Sequence, residues 1–512
     1  MAGPPGEPRL RRRPLVFDTV ALAAAGALHT LAFVHTAWWP LQMLAVALLA
    51  ACVARASPRR AAFLGWVFGT AWLAAGTWWL FVSMHRYGGL PAWMAVLAVG
   101  LLAAALSLYL AAAMAGFARW RRGVPWRDAL LFAAPWLLAE LARAVIFTGF
   151  PWVAAGYAHL DAPLATLAPW IGVYGIGFVA AALSAWVVYA GFAGWRRLAV
   201  AAGVTTAALV GLAVAPVPTF TTATGTLSVS LLQGNIAQEE KFASEHQAAA
   251  LEWHVGELLG ADTRLVVAPE TALPFFPQQL PEGFWPALTQ RFAERGAYFL
   301  FGMPLGDYDS GYTNSAVGIA PGGAAYRYDK HHLVPFGEFI PTGFRWFTQM
   351  MNIPLGDFAR GPVGAPPFVV GEQRVAPNIC YEDLFGEEIA ASFAAADRAP
   401  TILANLSNIG WFGDTIAVAQ HLNISRMRTL EFERPMLRAT NTGATAVVDH
   451  RGVVQASLPP YTRGVLVAEV TGREGLTPFA RWTSAFWLWP LWGLGAVLPL
   501  VLRRPRRRRP GP

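Results

Sequence analysis

Long apolar runs broken by arginine-rich stretches occupy residues 15–214 and 484–502, and a polar stretch, 215–480, lies between them. This distribution constrains the fold more than any motif does. A helix crosses a bilayer with about 20 apolar residues. Candidate spans of that kind are 15–35, 39–56, 61–83, 90–118, 129–147, 164–194, 198–214 and 484–502. Only 14% of the 512 residues are charged, against about 25% in soluble domains. The reading is a polytopic helical membrane bundle over 1–214, one α/β domain over 215–480, and a last span with a basic tail over 481–512. A cleavable leader is not expected, because further spans follow the first and no small-residue cleavage site stands out.

The net charge of +8 raises nucleic acid as a partner, and the distribution of that charge argues against it. Arginines cluster at Arg9, Arg11, Arg12 and Arg13, at Arg59 and Arg60, at Arg119, Arg121, Arg122 and Arg127, at Arg196 and Arg197, and over 503–509. All flank apolar runs on one side of an eight-span layout, as the positive-inside rule describes. Both termini are therefore expected in the cytoplasm and 215–480 outside it. The opposite loops 35–40, 85–91 and 150–163 are poor in arginine and carry Trp, Tyr and Gly, which suits a membrane rim or a lipid entrance. Glu140 and Arg143 lie three apart on one face of the fifth span. Charges at that depth face protein or water, so the two are read either as an internal ion pair or as a substrate-binding contact.

Within 215–480, β-rich runs at 227–232, 265–268, 298–303, 315–319, 375–379, 401–404, 436–439 and 445–448 alternate with helical stretches at about 241–260, 283–295, 386–396 and 416–432. This order predicts a layered α/β domain. The pair His331-His332 has no cysteine or carboxylate at metal-ligand spacing, so no metal or other cofactor is expected. The two cysteines lie far apart, Cys52 in an apolar run and Cys380 in the polar domain, and imply no disulfide framework.

Three residues at the ends of strand-like runs carry chemistry. Glu270 ends Leu265-Val266-Val267-Ala268-Pro269-Glu270, Lys330 opens Lys330-His331-His332, and Cys380 follows Pro377-Asn378-Ile379. A thiol attacks as its thiolate and needs a base or a cation beside it. Glu270 can be the base, and Lys330 can lower the thiol pKa and bind an oxyanion. Each residue also has an ordinary reading: an inert core cysteine, a strand-end carboxylate, a solvated lysine.

The order Glu270, Lys330, Cys380 resembles the nitrilase (carbon-nitrogen hydrolase) superfamily, whose triad is Glu-Lys-Cys. Within it the chain is most similar to the apolipoprotein N-acyltransferases, integral enzymes of the bacterial inner membrane. The local strings that carry this are Gln233-Gly234-Asn235-Ile236, Ala268-Pro269-Glu270-Thr271, Lys330 through Phe339, Ile379-Cys380-Tyr381-Glu382, Asn405-Leu406-Ser407-Asn408 with Trp411-Phe412-Gly413-Asp414, Gln420-His421, Arg426-Met427-Arg428, and Arg438-Ala439-Thr440-Asn441-Thr442-Gly443. Departures are Phe242, where relatives often carry Trp, and Ile409-Gly410, where they tend to be more polar.

The resemblance implies an αββα sandwich facing the periplasm, with Glu270 as general base, Lys330 stabilising the tetrahedral intermediate and Cys380 as nucleophile. It implies a further essential carboxylate, Glu338, and support of the nucleophile loop by Tyr381 and Glu382. Phe242 and Trp411 become substrate contacts beside Glu140 and Arg143. The implied reaction is ping-pong. An acyl chain passes from a phospholipid, through a thioester on Cys380, to the N-terminal α-amine of a diacylglyceryl-modified apolipoprotein. Two other readings stand beside it: a membrane-tethered amidase that uses water, and a transporter or receptor with a non-catalytic domain.

Overall fold

The computed structural model describes residues 14–238, 244–307, 309, 311–348 and 357–503. Among them, six helices are long and apolar enough to cross a membrane: Leu15–Val34, Thr36–Val53, Ala92–Trp120, Pro125–Thr148, Pro163–Phe192 and Trp195–Val214. Two bent pairs bring the number to as many as eight, Pro58–Gly76 with Leu80–Tyr87 at 62° and Pro478–Phe486 with Trp489–Leu502 at 87°. The bends fall in the third and eighth expected spans. In the third, Trp79 is 1% exposed and its Nε1 donates to Gly76 O and to Gln420 Oε1, a residue of the α/β domain. The chain leaves helical geometry where an indole turns to meet the other domain.

Twelve strands among the described residues form two six-stranded sheets. They are β1 (Thr221–Gln233), β2 (Leu265–Val267), β3 (Tyr298–Asp307), β4 (Gly311–Ile319), β5 (Ala325–Asp329), β6 (Phe368–Val370), β7 (Gln373–Ile379), β8 (Ile402–Ser407), β9 (Met436–Thr440), β10 (Ala446–Val448), β11 (Val454–Ser457) and β12 (Gly464–Gly475). One sheet runs β12-β1-β2-β3-β4-β5 and the other β11-β10-β9-β8-β7-β6. The β1/β2, β2/β3, β7/β8 and β8/β9 pairs are parallel.

Strand side chains alternate between faces, and the apolar residues sort accordingly. Val229, Leu231, Leu265 and Val267 of the first sheet meet Ile402, Ala404, Leu406 and Leu437 of the second between the sheets. Leu232, Val266 and Phe299 point outward, against Leu258 of helix Ser244–Gly260 and Leu288 and Phe292 of helix Phe284–Arg295. On the other outer face, Leu403 and Met436 pack with Phe432 and Phe479. This is the expected αββα sandwich. The helix expected over 386–396 is shorter, Gly386–Ala390 followed by a 3-10 turn, Ala391–Phe393.

Helix Ile416–Phe432 joins the two halves. Gln420, His421, Asn423, Ser425, Arg428, Thr429 and Glu431 are all buried on it. Several of them reach the bundle, while His421 and Ser425 face Asp383 of the α/β domain: Asn423 Nδ2 donates to Phe33 O at 3.0 Å, and Glu431 Oε1 accepts the Val173 N–H at 2.8 Å. Arg428 Nη2 donates to Tyr157 Oη at 3.3 Å. Buried polar groups find partners, and on this helix Gln420, Asn423, Arg428 and Glu431 find theirs in the bundle.

Candidate active site

Open α/β sheets gather function beyond the carboxyl ends of their parallel strands. Glu270 follows β2, Lys330 follows β5, Cys380 follows β7 and Asn408 follows β8. Glu270 comes close to the neighbouring strand because residue 302 of β3 is glycine. A Cβ there would lie 2.6 Å from Glu270 Cα and 2.5 Å from Thr271 N.

Lys330 is 1% exposed. Its Nζ donates to Glu338 Oε1 at 2.9 Å and to Glu270 Oε1 at 3.5 Å. Asn314 Nδ2 donates to both carboxylates, at 2.8 Å to Glu270 Oε1 and 2.7 Å to Glu338 Oε1. The remaining oxygens accept backbone N–H groups, Glu270 Oε2 from Asn408 at 2.9 Å and Glu338 Oε2 from Val334 at 2.8 Å. Two carboxylates thus share one ammonium and one amide. Burial alone would pull the Lys330 ammonium down, and Glu338, Glu270 and the Cys380 thiol together hold it well above its ordinary value.

Cys380 is half-buried at φ +55°, left-handed backbone for a residue with a Cβ. Such a conformation costs on the order of 1 kcal/mol or more and persists where the surroundings hold it. Two donors hold its carbonyl: Asn405 Nδ2 at 3.1 Å and His421 Nε2 at 3.2 Å. The His421 tautomer follows from its neighbours. Arg438 Nη2 lies 3.2 Å from Nδ1 and can only donate, so Nδ1 accepts and Nε2 carries the proton. That proton also serves Asp383 Oδ1 at 3.0 Å. Burial would raise the Asp383 carboxyl, and His421 and Arg438 hold it below its ordinary value. Burial, then the Glu270 carboxylate, push the Cys380 thiol up to about 12, against the Lys330 ammonium and the Ser407 hydroxyl.

Glu382 ties the nucleophile turn to the lysine segment. It accepts Ile379 N–H at 2.6 Å, His331 N–H at 2.7 Å, His332 N–H at 3.1 Å and the Tyr328 hydroxyl at 2.8 Å. Burial pushes its carboxyl up to about 7 against Lys330 and these donors. Tyr381 reaches the bundle, its hydroxyl donating to Gly149 O at 3.0 Å. Gly149 has φ +85°, and a Cβ there would lie 1.9 Å from Ala144 O.

The other expected contacts lie farther from this cluster. Trp411 packs edge-on against Tyr87 of the bundle, 5.6 Å between ring centroids. Glu140 and Arg143 are each 4% exposed and stand behind the loop 150–155. Arg143 Nη1 donates to Phe150 O at 3.0 Å and Trp152 O at 2.6 Å, and Glu140 Oε1 accepts the Ala155 N–H at 2.7 Å. Their own approach is 3.7 Å. Phe242 lies outside the described residues. Asn314 and His421 were not singled out by role from the sequence. Their signal was a run of polar side chains, Thr313-Asn314-Ser315, at the start of a strand that continues apolar, and a motif whose partner is distant in the chain.

Residues 25–187 match the family described as apolipoprotein N-acyltransferase N-terminal domain, and residues 228–478 match the carbon-nitrogen hydrolase family. An apolipoprotein N-acyltransferase of Verminephrobacter eiseniae is 52% identical over 489 residues, 89% of each chain. One of Ralstonia nicotianae is 49% identical, over 97% of this chain and 95% of its own. One of Bordetella bronchiseptica is 41% identical over 99% of both. A solved CN-hydrolase superfamily protein of Xanthomonas campestris, 18% identical, overlays 52% of this chain and 96% of its own with a TM-score of 0.37. With half its residues shared with one relative along nearly nine-tenths of its length, this chain belongs to the apolipoprotein N-acyltransferase family.

Proposed function

We propose that this acyltransferase moves an acyl chain from a phospholipid, the sn-1 chain of phosphatidylethanolamine, to the N-terminal α-amine of the diacylglyceryl-cysteine of apolipoproteins. The observation that carries the reading is the pair Glu270 and Glu338 on the buried Lys330 ammonium, with the Cys380 thiol inside its field.

In the first half-reaction Glu270 takes the thiol proton as Sγ attacks the ester carbonyl. Lys330 faces the charge that develops on the carbonyl oxygen, where a preoriented cation acts most strongly. The ester C–O bond breaks, and the proton passes from Glu270 to the departing lysophospholipid oxygen. In the second, the acceptor amine attacks the thioester and gives a proton to Glu270. The C–S bond breaks, and the thiol is restored. Glu338 keeps Lys330 placed, and Glu382 and Tyr381 hold the turn that carries Cys380.

Both substrates are lipid-anchored, and each CH₂ withdrawn from the bilayer loses about 0.8 kcal/mol. A site held directly on the bundle avoids that loss, and the docking of helix Ile416–Phe432 supports such a placement. We place the α/β domain in the periplasm, both termini in the cytoplasm, and the chain in the bacterial inner membrane.

The test is donor-only incubation. Phospholipid without acceptor leaves an acyl thioester on the Cys380 peptide, found by mass spectrometry and removed by neutral hydroxylamine. Cys380→Ala leaves none. An unmodified wild-type peptide, while the complete reaction proceeds, overturns the thioester route.

A further inference from the structure

An amide chain beside Glu270 ends in a donor that has no acceptor among the described residues. Asn441 Oδ1 accepts the Ile236 N–H at 3.0 Å, and a backbone N–H can only donate, so the Asn441 amide orientation is fixed. Its Nδ2 then donates to Ile236 O at 2.8 Å and to Asn408 Oδ1 at 3.2 Å. That fixes Asn408, whose Nδ2 donates to Gln238 Oε1 at 2.9 Å. Gln238 is 5% exposed, and among the described residues its Nε2 has no acceptor. A flipped amide would break the chain at its backbone anchor, so the orphan is not a matter of assignment.

A second orphan borders the same space. Thr442 is 3% exposed, and among the described residues its hydroxyl has only the Tyr461 hydroxyl as a neighbour, with no hydrogen bond of ordinary length. Both side chains edge the face of Gly410. A methyl group added there would lie 3.5 Å from Gln238 Oε1, 3.5 Å from Thr442 Oγ1 and 3.3 Å from Asn408 Oδ1. Asn408 also gives its backbone N–H to Glu270 Oε2 at 2.9 Å. The unsatisfied donors therefore stand one residue from the group that receives the acceptor's proton. An unmade buried hydrogen bond is costly, and a site retains such groups where a ligand completes them.

Resting on the thioester reading above, we infer that Gln238 Nε2, with the Thr442 hydroxyl, receives the first peptide carbonyl of the acceptor. An amide NH₂ and a hydroxyl suit a carbonyl oxygen. The donor lipid's reacting carbonyl belongs at Cys380 and Lys330. The acceptor's carbonyl, however, sits two bonds from its α-amine. With that amine against Glu270, the carbonyl falls toward Gln238. The subsite makes the enzyme prefer the N-terminus of a peptide over an equally lipidated simple amine.

The experiment uses full-length enzyme in detergent, first acylated with phospholipid and then given one of two acceptors. One is a diacylglyceryl-cysteinyl peptide. The other is the same lipid on cysteamine, which keeps the amine and lacks the carbonyl. Gln238→Met is expected to raise KM for the peptide about tenfold while KM for the cysteamine lipid changes far less, and Thr442→Val to do the same more weakly. Equal effects on both acceptors, or none on either, overturn the proposal. Should Gln238→Met accumulate too little acyl-enzyme to measure, the same comparison on Thr442→Val decides it. Absence of acyl-enzyme in the wild type overturns the thioester reading instead, so the two failures are distinct.

Discussion

The indole of Trp152 stacks on the imidazole of His421, with ring centroids 5.7 Å apart and planes 22° apart. Trp152 belongs to the bundle loop held by Arg143, and its Nε1 donates to Gln420 Oε1 at 2.8 Å. His421 Nε2 lies 3.2 Å from Cys380 O. The membrane half thus bears directly on the strained turn that carries the thiol. Trp152→Ala removes the stack and is expected to slow donor-only acylation about tenfold, the effect of about 1.4 kcal/mol, with a parallel change in the rate at which iodoacetamide alkylates Cys380. Trp152→Phe keeps a ring and loses less. Acylation at the wild-type rate in Trp152→Ala would show that the turn holds without the bundle.

Glu338 is the nearer of the two carboxylates on Lys330, 2.9 Å against 3.5 Å. Glu338→Gln keeps the shape and removes a charge from a buried ion cluster. Turnover in the purified, folded enzyme should fall on the order of a hundredfold, comparable to the loss of a positioned acid or base. Near wild-type turnover would remove Glu338 from the active site.

The Cys380 thiol stands at about 12, raised by burial and then by Glu270. Glu270→Gln removes the second cause and lowers the thiol pKa. Alkylation needs only thiolate, so Cys380 in this variant should react faster with iodoacetamide near pH 9 than in the wild type. Acylation by phospholipid, which needs the base, should be slower. Parallel loss of both rates would mean that Glu270 supports the fold and not the proton transfer.

Glu382 sits at about 7 in the folded chain, above the ordinary 4.5 of a glutamate, because burial penalises its charged form. Between those values the unfolded chain has released the proton and the folded chain still holds it. By linkage this group's contribution is present below the lower value and is lost as pH rises through the upper one. Glu382→Gln removes the titration. The melting temperature of the wild type relative to the variant should decline from about pH 5 to about pH 8. A flat difference would show that Glu382 is ionised throughout.

The arginine clusters at 59–60, 119–127 and 196–197 place one set of loops together. A reporter fused near residue 300 should be active only in a form that works outside the cytoplasm. A cytoplasmic signal there would overturn the orientation and the substrate assignment with it.

The strands anticipated from the sequence were β1 to β4 and β7 to β10, and the ones not anticipated were β5, β6, β11 and β12. Those four are the edges of the two sheets. An interior strand is covered on both sides and reads as an apolar run, as Ile402-Leu403-Ala404 does. An edge strand keeps a wet side, as in Ala325-Tyr326-Arg327-Tyr328-Asp329, and its pattern dissolves into that of a loop.

Local chemistry is legible along this chain without its fold. Apolar length marked the spans, short β-rich runs marked the inner strands, and a carboxylate, an ammonium and a thiol marked three strand ends. Only the tertiary structure decided what depends on a distant partner. Trp79 bends its span toward Gln420, 341 residues along the chain. Asn314 bridges Glu270 and Glu338, His421 clamps the Cys380 carbonyl, and Arg143 braces a loop through backbone oxygens. A buried polar side chain takes its role from the group that satisfies it, and that group is chosen by the packing of sheet on sheet and sandwich on bundle.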